Sequence, residues 1–181
     1  MTENKNKPAL LEEEAKELYR AGKFQQAADG FSQAAAFYLK KEEHLLAAEM
    51  RNNQSVALLK AKKPQMALDA VQGTPELFQE AGDVLKQGMA LANRATALQG
   101  LGKKQEAIDE FVQAAEIFKD NGEKQMYLQT KQSISALKLK TRNIPGALFS
   151  MQEGLEELEK PNLRQKLLRS LLKIPQNLLE K

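Results

Sequence analysis

The stretch LANRATALQGLGKKQEAIDEFVQAAEIF, residues 91–118, decides the fold. Ala95 and Leu98 share one helical face before Gly102, and Ala107, Phe111 and Ala114 share another after it. Gly102 suits the left-handed residue that closes a helix. The stretch therefore reads as helix, tight turn, helix.

Stepping outward by 40 residues finds the same pattern three more times without a gap. Ala27, Ala67, Ala107 and Ala147 form one column, Phe31, Val71, Phe111 and Met151 a second, and Ala34, Thr74, Ala114 and Gly154 a third. Before the turn, Ala15, Ser55, Ala95 and Ser135 form a small-residue column, and Leu18, Leu58 and Leu98 an apolar one that lapses at Lys138. Small residues recur where helix backbones approach closely, with large apolar residues three or four positions away on the same face. Gly22 closes the first helix as Gly102 does the third unit's. The second and fourth units use Lys62-Lys63-Pro64 and Arg142-Asn143-Ile144-Pro145, with Pro opening the next helix. The periodicity predicts helices at about 8–21, 24–41, 43–61, 64–72, 76–81, 83–101, 104–120, 122–141, 145–160 and 161–173. Gly73-Thr74-Pro75 falls where the second unit's outer helix should continue, and predicts a break or kink.

Composition agrees. The 181 residues are 42% hydrophobic and 28% charged, with no Cys and no Trp. Length suits one domain, with repeats at about 9–41, 43–81, 83–121 and 123–160 and a C-terminal capping helix at 161–173. The absence of Cys excludes disulfides and thiolate chemistry, and is compatible with the cytoplasm, the expected location. No run is long and apolar enough to span a membrane, and the opening residues lack the apolar run expected of a signal peptide. The net charge of +3 comes from interleaved acids and bases, and gives no reason to expect nucleic acid. The single histidine, His44, has no cluster around it for a metal or a triad. Glu12-Glu13-Glu14 sits where a helix start favours anions. No glycine-rich phosphate loop occurs. The chain is not expected to be an enzyme or to hold a cofactor or metal.

The columns resemble the tetratricopeptide repeat, best at Gly22, Phe24, Ala27, Phe31 and Ala34 and then at Gly102, Ala107, Phe111 and Ala114. That family's usual unit is 34 residues, so the resemblance is to its long-repeat branch; EAGD at 80–83 and DNGE at 120–123 fit that branch too. QQAADGFSQAAAFYLKKEEHLLAAE, residues 25–49, is also similar to the soluble adaptor proteins of vesicle fusion. The resemblance implies an all-α, right-handed α-α superhelix of four helix-turn-helix repeats. It further implies a scaffold or adaptor that binds a peptide or partner protein in its concave groove.

In such a solenoid the first helix of each unit lines the groove. By register this selects Glu12, Lys16, Tyr19 and Arg20, then Glu49, Asn52, Asn53, Val56 and Lys60. The third unit offers Met89, Asn93, Thr96 and Gln99, and the fourth Gln129, Gln132, Ser133 and Lys140. Asn53 and Asn93 share a column, and an Asn amide can pair with both N–H and C=O of an extended peptide; in the long-repeat branch an Asn at this column implies a peptide-backbone contact. The carboxylate clamp of some members is poorly matched: Glu12 and Lys16 stand where Lys and Asn are expected, and Met89 and Asn93 where Lys and Arg are.

After Pro161 the repeat ends. Leu163, Leu167, Leu168, Leu171 and Leu172 form an apolar face flanked by Arg164, Lys166, Arg169 and Lys173, with no acid between Pro161 and Asn177. This segment suits a cap over the last repeat, a homodimer or partner contact, or attachment to an anionic membrane or a membrane-fusion role.

Overall fold

The computed structural model describes residues 7–172, and ten helices account for most of them. They are α1 (Lys7–Arg20), α2 (Phe24–Lys40), α3 (His44–Lys60), α4 (Pro64–Val71), α5 (Thr74–Glu80), α6 (Val84–Gly100), α7 (Lys104–Asp120), α8 (Lys124–Lys140), α9 (Ile144–Glu156) and α10 (Leu163–Leu171). Among the described residues there is no strand. The chain is all-α, a helical-repeat architecture in which helices pack on their sequence neighbours.

The turns keep a stricter beat than the side-chain columns. Residues 22, 42, 62, 82, 102, 122 and 142 all have positive φ, so the backbone repeats every 20 residues, twice per sequence period. At each, the amide one residue later donates to the carbonyl five residues back, as Lys23 does to Leu18, Lys63 to Leu58 and Asn143 to Lys138, at 2.9 Å. This is the Schellman closure, which satisfies carbonyls the helix end would orphan. Four of the seven are Gly; the others are Glu42, Lys62 and Arg142, held at φ near 60°. The hydrogen bonds, rather than the residue type, set the turn.

The chain forms two compact units, Met1–Lys103 and Lys104–Lys181. In the first, α1 packs on α2, α2 on α3, and α3 on α4, α5 and α6. The repeat columns supply its core: Ala15, Ala27, Ala34 and Ala67 are fully buried beside Phe31 and Leu58, with Met50 and Ala97 packed among them. The helix axes approach closely at these small residues. A Cβ built on Gly30 would stand 2.9 Å from Ala15 Cβ, and one on Gly100 2.7 Å from Pro64 Cβ.

The predicted break is present. α4 stops at Val71, Gly73 takes φ 77°, and α5 restarts at Thr74 with Pro75 in its first turn. Arg51 Nη2 donates to Gln72 O at 3.0 Å, and Thr74 Oγ1 to Val71 O at 2.9 Å, so two freed carbonyls are paired. Thr74 stays fully buried, in register with Ala34 and Ala114. The break bends the chain without losing the column.

In the second unit α7 packs on α8 and α8 on α9. Gly154 admits Lys131 Cβ at 2.9 Å from a would-be Cβ. Lys138, where the leucine column lapses, sends its ammonium to the buried Ser150 hydroxyl at 3.0 Å, and Ser150 passes a hydrogen bond to Gly146 O. Burial pushes the Tyr127 phenol up to about 12, reinforced by Glu153, Glu157 and Glu156, so it stays protonated.

α9 ends at Glu156, four residues before the expected limit, and α10 starts at Leu163 rather than 161. Asn162 caps α10: its side chain accepts from Gln165 N at 2.9 Å, while Gln165 Oε1 accepts from Asn162 N at 2.8 Å. Of the expected apolar face only Leu172 is buried, with Leu128, Leu155 and Leu158. Leu163, Leu167 and Leu171 are 85%, 61% and 72% exposed. α10 is tethered to the last repeat and does not blanket it. Lys173 lies outside the described residues.

Candidate functional site

The first unit holds a concavity of about 200 Å³ lined by Lys16, Tyr19 and Arg20 of α1, Phe31 of α2, and Asn53 and Val56 of α3. Its geometry follows from the repeat. The first-helix residues Lys16, Tyr19 and Arg20 lie at spacings of three and four, on one face. Asn53 and Val56 of α3 do the same, and α2 packs against both helices with Phe31 at the floor, 4% exposed. Tyr19 is fixed by an edge-on contact with Phe24, ring centroids 5.3 Å apart.

Two cations stand at the rim, and they are not equivalent. Lys16 Nζ lies 2.7 Å from Glu12 and 3.0 Å from Glu13, and these hydrogen bonds raise its pKa above 10.5. Its charge is matched within α1. Arg20 is exposed and makes no ion pair among the described residues. The site thus offers an apolar floor, a free guanidinium and one half-buried amide, that of Asn53.

Asn93 has a different environment from Asn53, although the register equates them. Its Nδ2 donates to Oδ1 of Asn52 at 2.8 Å, joining α6 to α3. Asn52 is 8% exposed, so this is an interior strut between repeats. A second link lies nearby. Lys86 bridges Glu49 of α3 and Asp83, and Asp83 caps α6 by accepting from Lys86 N at 3.1 Å. The remaining first-unit candidates stand outside the concavity. Thr96 is exposed and returns its hydroxyl to Ala92 O at 2.8 Å, Gln99 is half-buried and Lys60 is exposed.

In the second unit Gln132 and Lys140 are exposed on α8. Ser133 donates to Gln129 O at 3.2 Å, and Lys131 bridges to Glu153 at 2.8 Å with its ammonium 5.4 Å from the Tyr127 ring centroid.

Of the residues around the concavity, sequence reasoning placed five at the groove and took Phe31 for core alone. Phe31 serves as both. The signal was available, because an aromatic beneath a crossing of three helices borders any gap that the small-residue columns leave.

Among the described residues no group of three or more His, Asp or Glu could hold a metal, and His44 is exposed at the start of α3. No helix in that range is long and apolar enough to cross a membrane. No individual curated protein matches the chain. The family model that does match, described as soluble NSF attachment protein, covers residues 3–173, nearly the whole length. The chain therefore belongs to the soluble NSF attachment protein family, a family of helical adaptors.

Proposed function

We propose that this chain is a non-catalytic adaptor that holds a segment of a partner protein, seating one partner side chain in the concavity between α1, α2 and α3. The observation that carries the reading is the make-up of that concavity. Tyr19, Phe31 and Val56 supply an apolar floor, and Arg20 and Asn53 supply polar groups at its edge. A volume of about 200 Å³ is below the 300–1,000 Å³ usual for small-molecule sites. It suits a single apolar side chain of a peptide better than a cofactor.

The chemistry divides between the rim residues. Asn53 pairs with one backbone amide and one carbonyl of an extended or helical segment. Arg20, planar and always charged, takes a carboxylate or carbonyl beside the seated side chain. Lys16 contributes its methylene stem, since Glu12 and Glu13 hold its charge. Asn52, Asn93 and the Glu49–Lys86 pair keep the second repeat fixed against α6, so the surface is preformed. The expected setting is the cytoplasm, with the partner drawn from the machinery that such attachment proteins serve.

The test is capture of partners from the cell's own extract by wild type and by Arg20→Gln/Asn53→Ala, followed by affinity measurement with the captured protein. The variant should bind at least tenfold more weakly, about 1.4 kcal/mol, with unchanged helicity. Equal affinity would overturn the placement of the site.

A further inference from the structure

The repeat core and the concavity leave α10 without a role, and its surface is unusual. Leu163, Leu167 and Leu171 follow one another at spacings of four. At 3.6 residues per turn they form a narrow stripe, and all three are more than half exposed. Leu172, on the far side, is buried against Leu128, Leu155 and Leu158 and fixes which face points outward. Arg164 and Lys166 border the stripe on its two sides, with Arg169 further round. None of the three makes an ion pair among the described residues. The sequence has no acid from Pro161 to Asn177.

We infer that α10 is an interfacial helix that lays its leucine stripe into the surface of an anionic lipid bilayer. Leucines on one face with cations along both borders are the arrangement that sinks an apolar face below the headgroups while the charges meet lipid phosphates. The local acids do not cancel this charge. Glu153, Glu157 and Glu159 of the preceding segment pair with Lys131, Lys119 and Lys124 respectively, and Glu156 accepts a hydrogen bond from Gln152. A second copy of the chain fits less well. Joining stripe to stripe would face Arg164, Lys166 and Arg169 with their own duplicates, and α10 carries no carboxylate to pair them. Lipid headgroups supply the missing counter-charge. The helix is also formed before it docks, because the reciprocal Asn162–Gln165 cap secures its first turn.

The experiment is co-sedimentation of the full chain with phosphatidylcholine vesicles, with and without phosphatidylserine, at low and high salt. The chain should sediment with phosphatidylserine vesicles at low salt, stay in solution with phosphatidylcholine alone, and be released near 1 M salt, where screening shortens to about 3 Å. Leu163→Ser/Leu167→Ser/Leu171→Ser should lose at least tenfold in vesicle binding, and Arg164→Gln/Lys166→Gln/Arg169→Gln should lose the preference for phosphatidylserine. Arg169 is half-buried and the other five side chains are exposed, so both variants should keep wild-type helicity and unfolding midpoint. Wild-type chain that ignores phosphatidylserine vesicles, or a leucine variant that binds as well as wild type, would overturn the inference. So would a mass that rises with concentration and collapses in the leucine variant without vesicle binding, since a second copy would then be the occupant.

Discussion

Replacing Asn93 by Ala separates a structural amide from a binding one. In wild type, Asn93 Nδ2 satisfies Oδ1 of Asn52 at 2.8 Å, and Asn52 is 8% exposed. Removing the donor leaves an almost buried carbonyl oxygen unpaired, which costs about 1–3 kcal/mol. The residual exposure of Asn52 lets water recover part of this, so the expected loss is roughly 1–2 kcal/mol. With a urea slope of about 2 kcal/mol/M, the midpoint should fall by roughly 0.5–1 M. Asn52→Ala should cost a similar amount or less, since it leaves only the more exposed Asn93 unpaired. A double-mutant cycle should return a coupling of about 0.5–1.5 kcal/mol. Asn53→Ala, which lines the concavity and has no such partner, should change the stability by less than about 0.5 kcal/mol. Equal midpoints for wild type and Asn93→Ala, or zero coupling in the cycle, would refute the strut.

Other outcomes follow from the turns, the core and the ion pairs. Glu42→Gly, Lys62→Gly and Arg142→Gly should each stabilise the chain by about 0.5–1 kcal/mol in urea melts, because a side chain at positive φ is strained. Gly100→Ala should destabilise by about 1–3 kcal/mol, since its new Cβ would lie 2.7 Å from Pro64 Cβ. Ser55→Ala should leave stability unchanged or raise it by up to about 1 kcal/mol, because Ser55 Oγ is buried without a partner. Hydrogen bonds that the Lys86 ammonium donates to Glu49, and then to Asp83, raise its pKa above 10.5. Its contribution is therefore complete below pH 10.5 and lost as pH climbs through the raised value. Lys86→Met should flatten that alkaline limb of a stability-against-pH curve.

How far the sequence could be read depended on whether a feature is local. The helices fall within a residue or three of their expected limits wherever a turn residue marks the end, and the break at Gly73–Pro75 appears where Pro removes a donor. The columns of small residues fill the core because close approach requires them whatever the neighbour. The C-terminal segment was harder. Its leucines promised a cap, yet a stripe at spacings of four cannot face the same way as Leu172, and only the latter goes inward. The start of α10 is marked in the sequence by Asn162 and Gln165, three residues apart, which form its reciprocal cap. Asn53 and Asn93 show the deeper limit. Register assigns a column, but which neighbour stands opposite is a matter of packing. There Asn52 captures one amide and the concavity leaves the other open.

The central claim is that the α1–α3 concavity binds a partner protein. Crosslinking a photoreactive residue at Val56 to partners in native extract, with the same residue at Gln26 on the outer face of α2 as control, tests it most directly. The account predicts a specific adduct from Val56 that disappears with Arg20→Gln/Asn53→Ala and never forms from the control. An adduct that forms equally from both positions, or one that survives the double substitution undiminished, would contradict it.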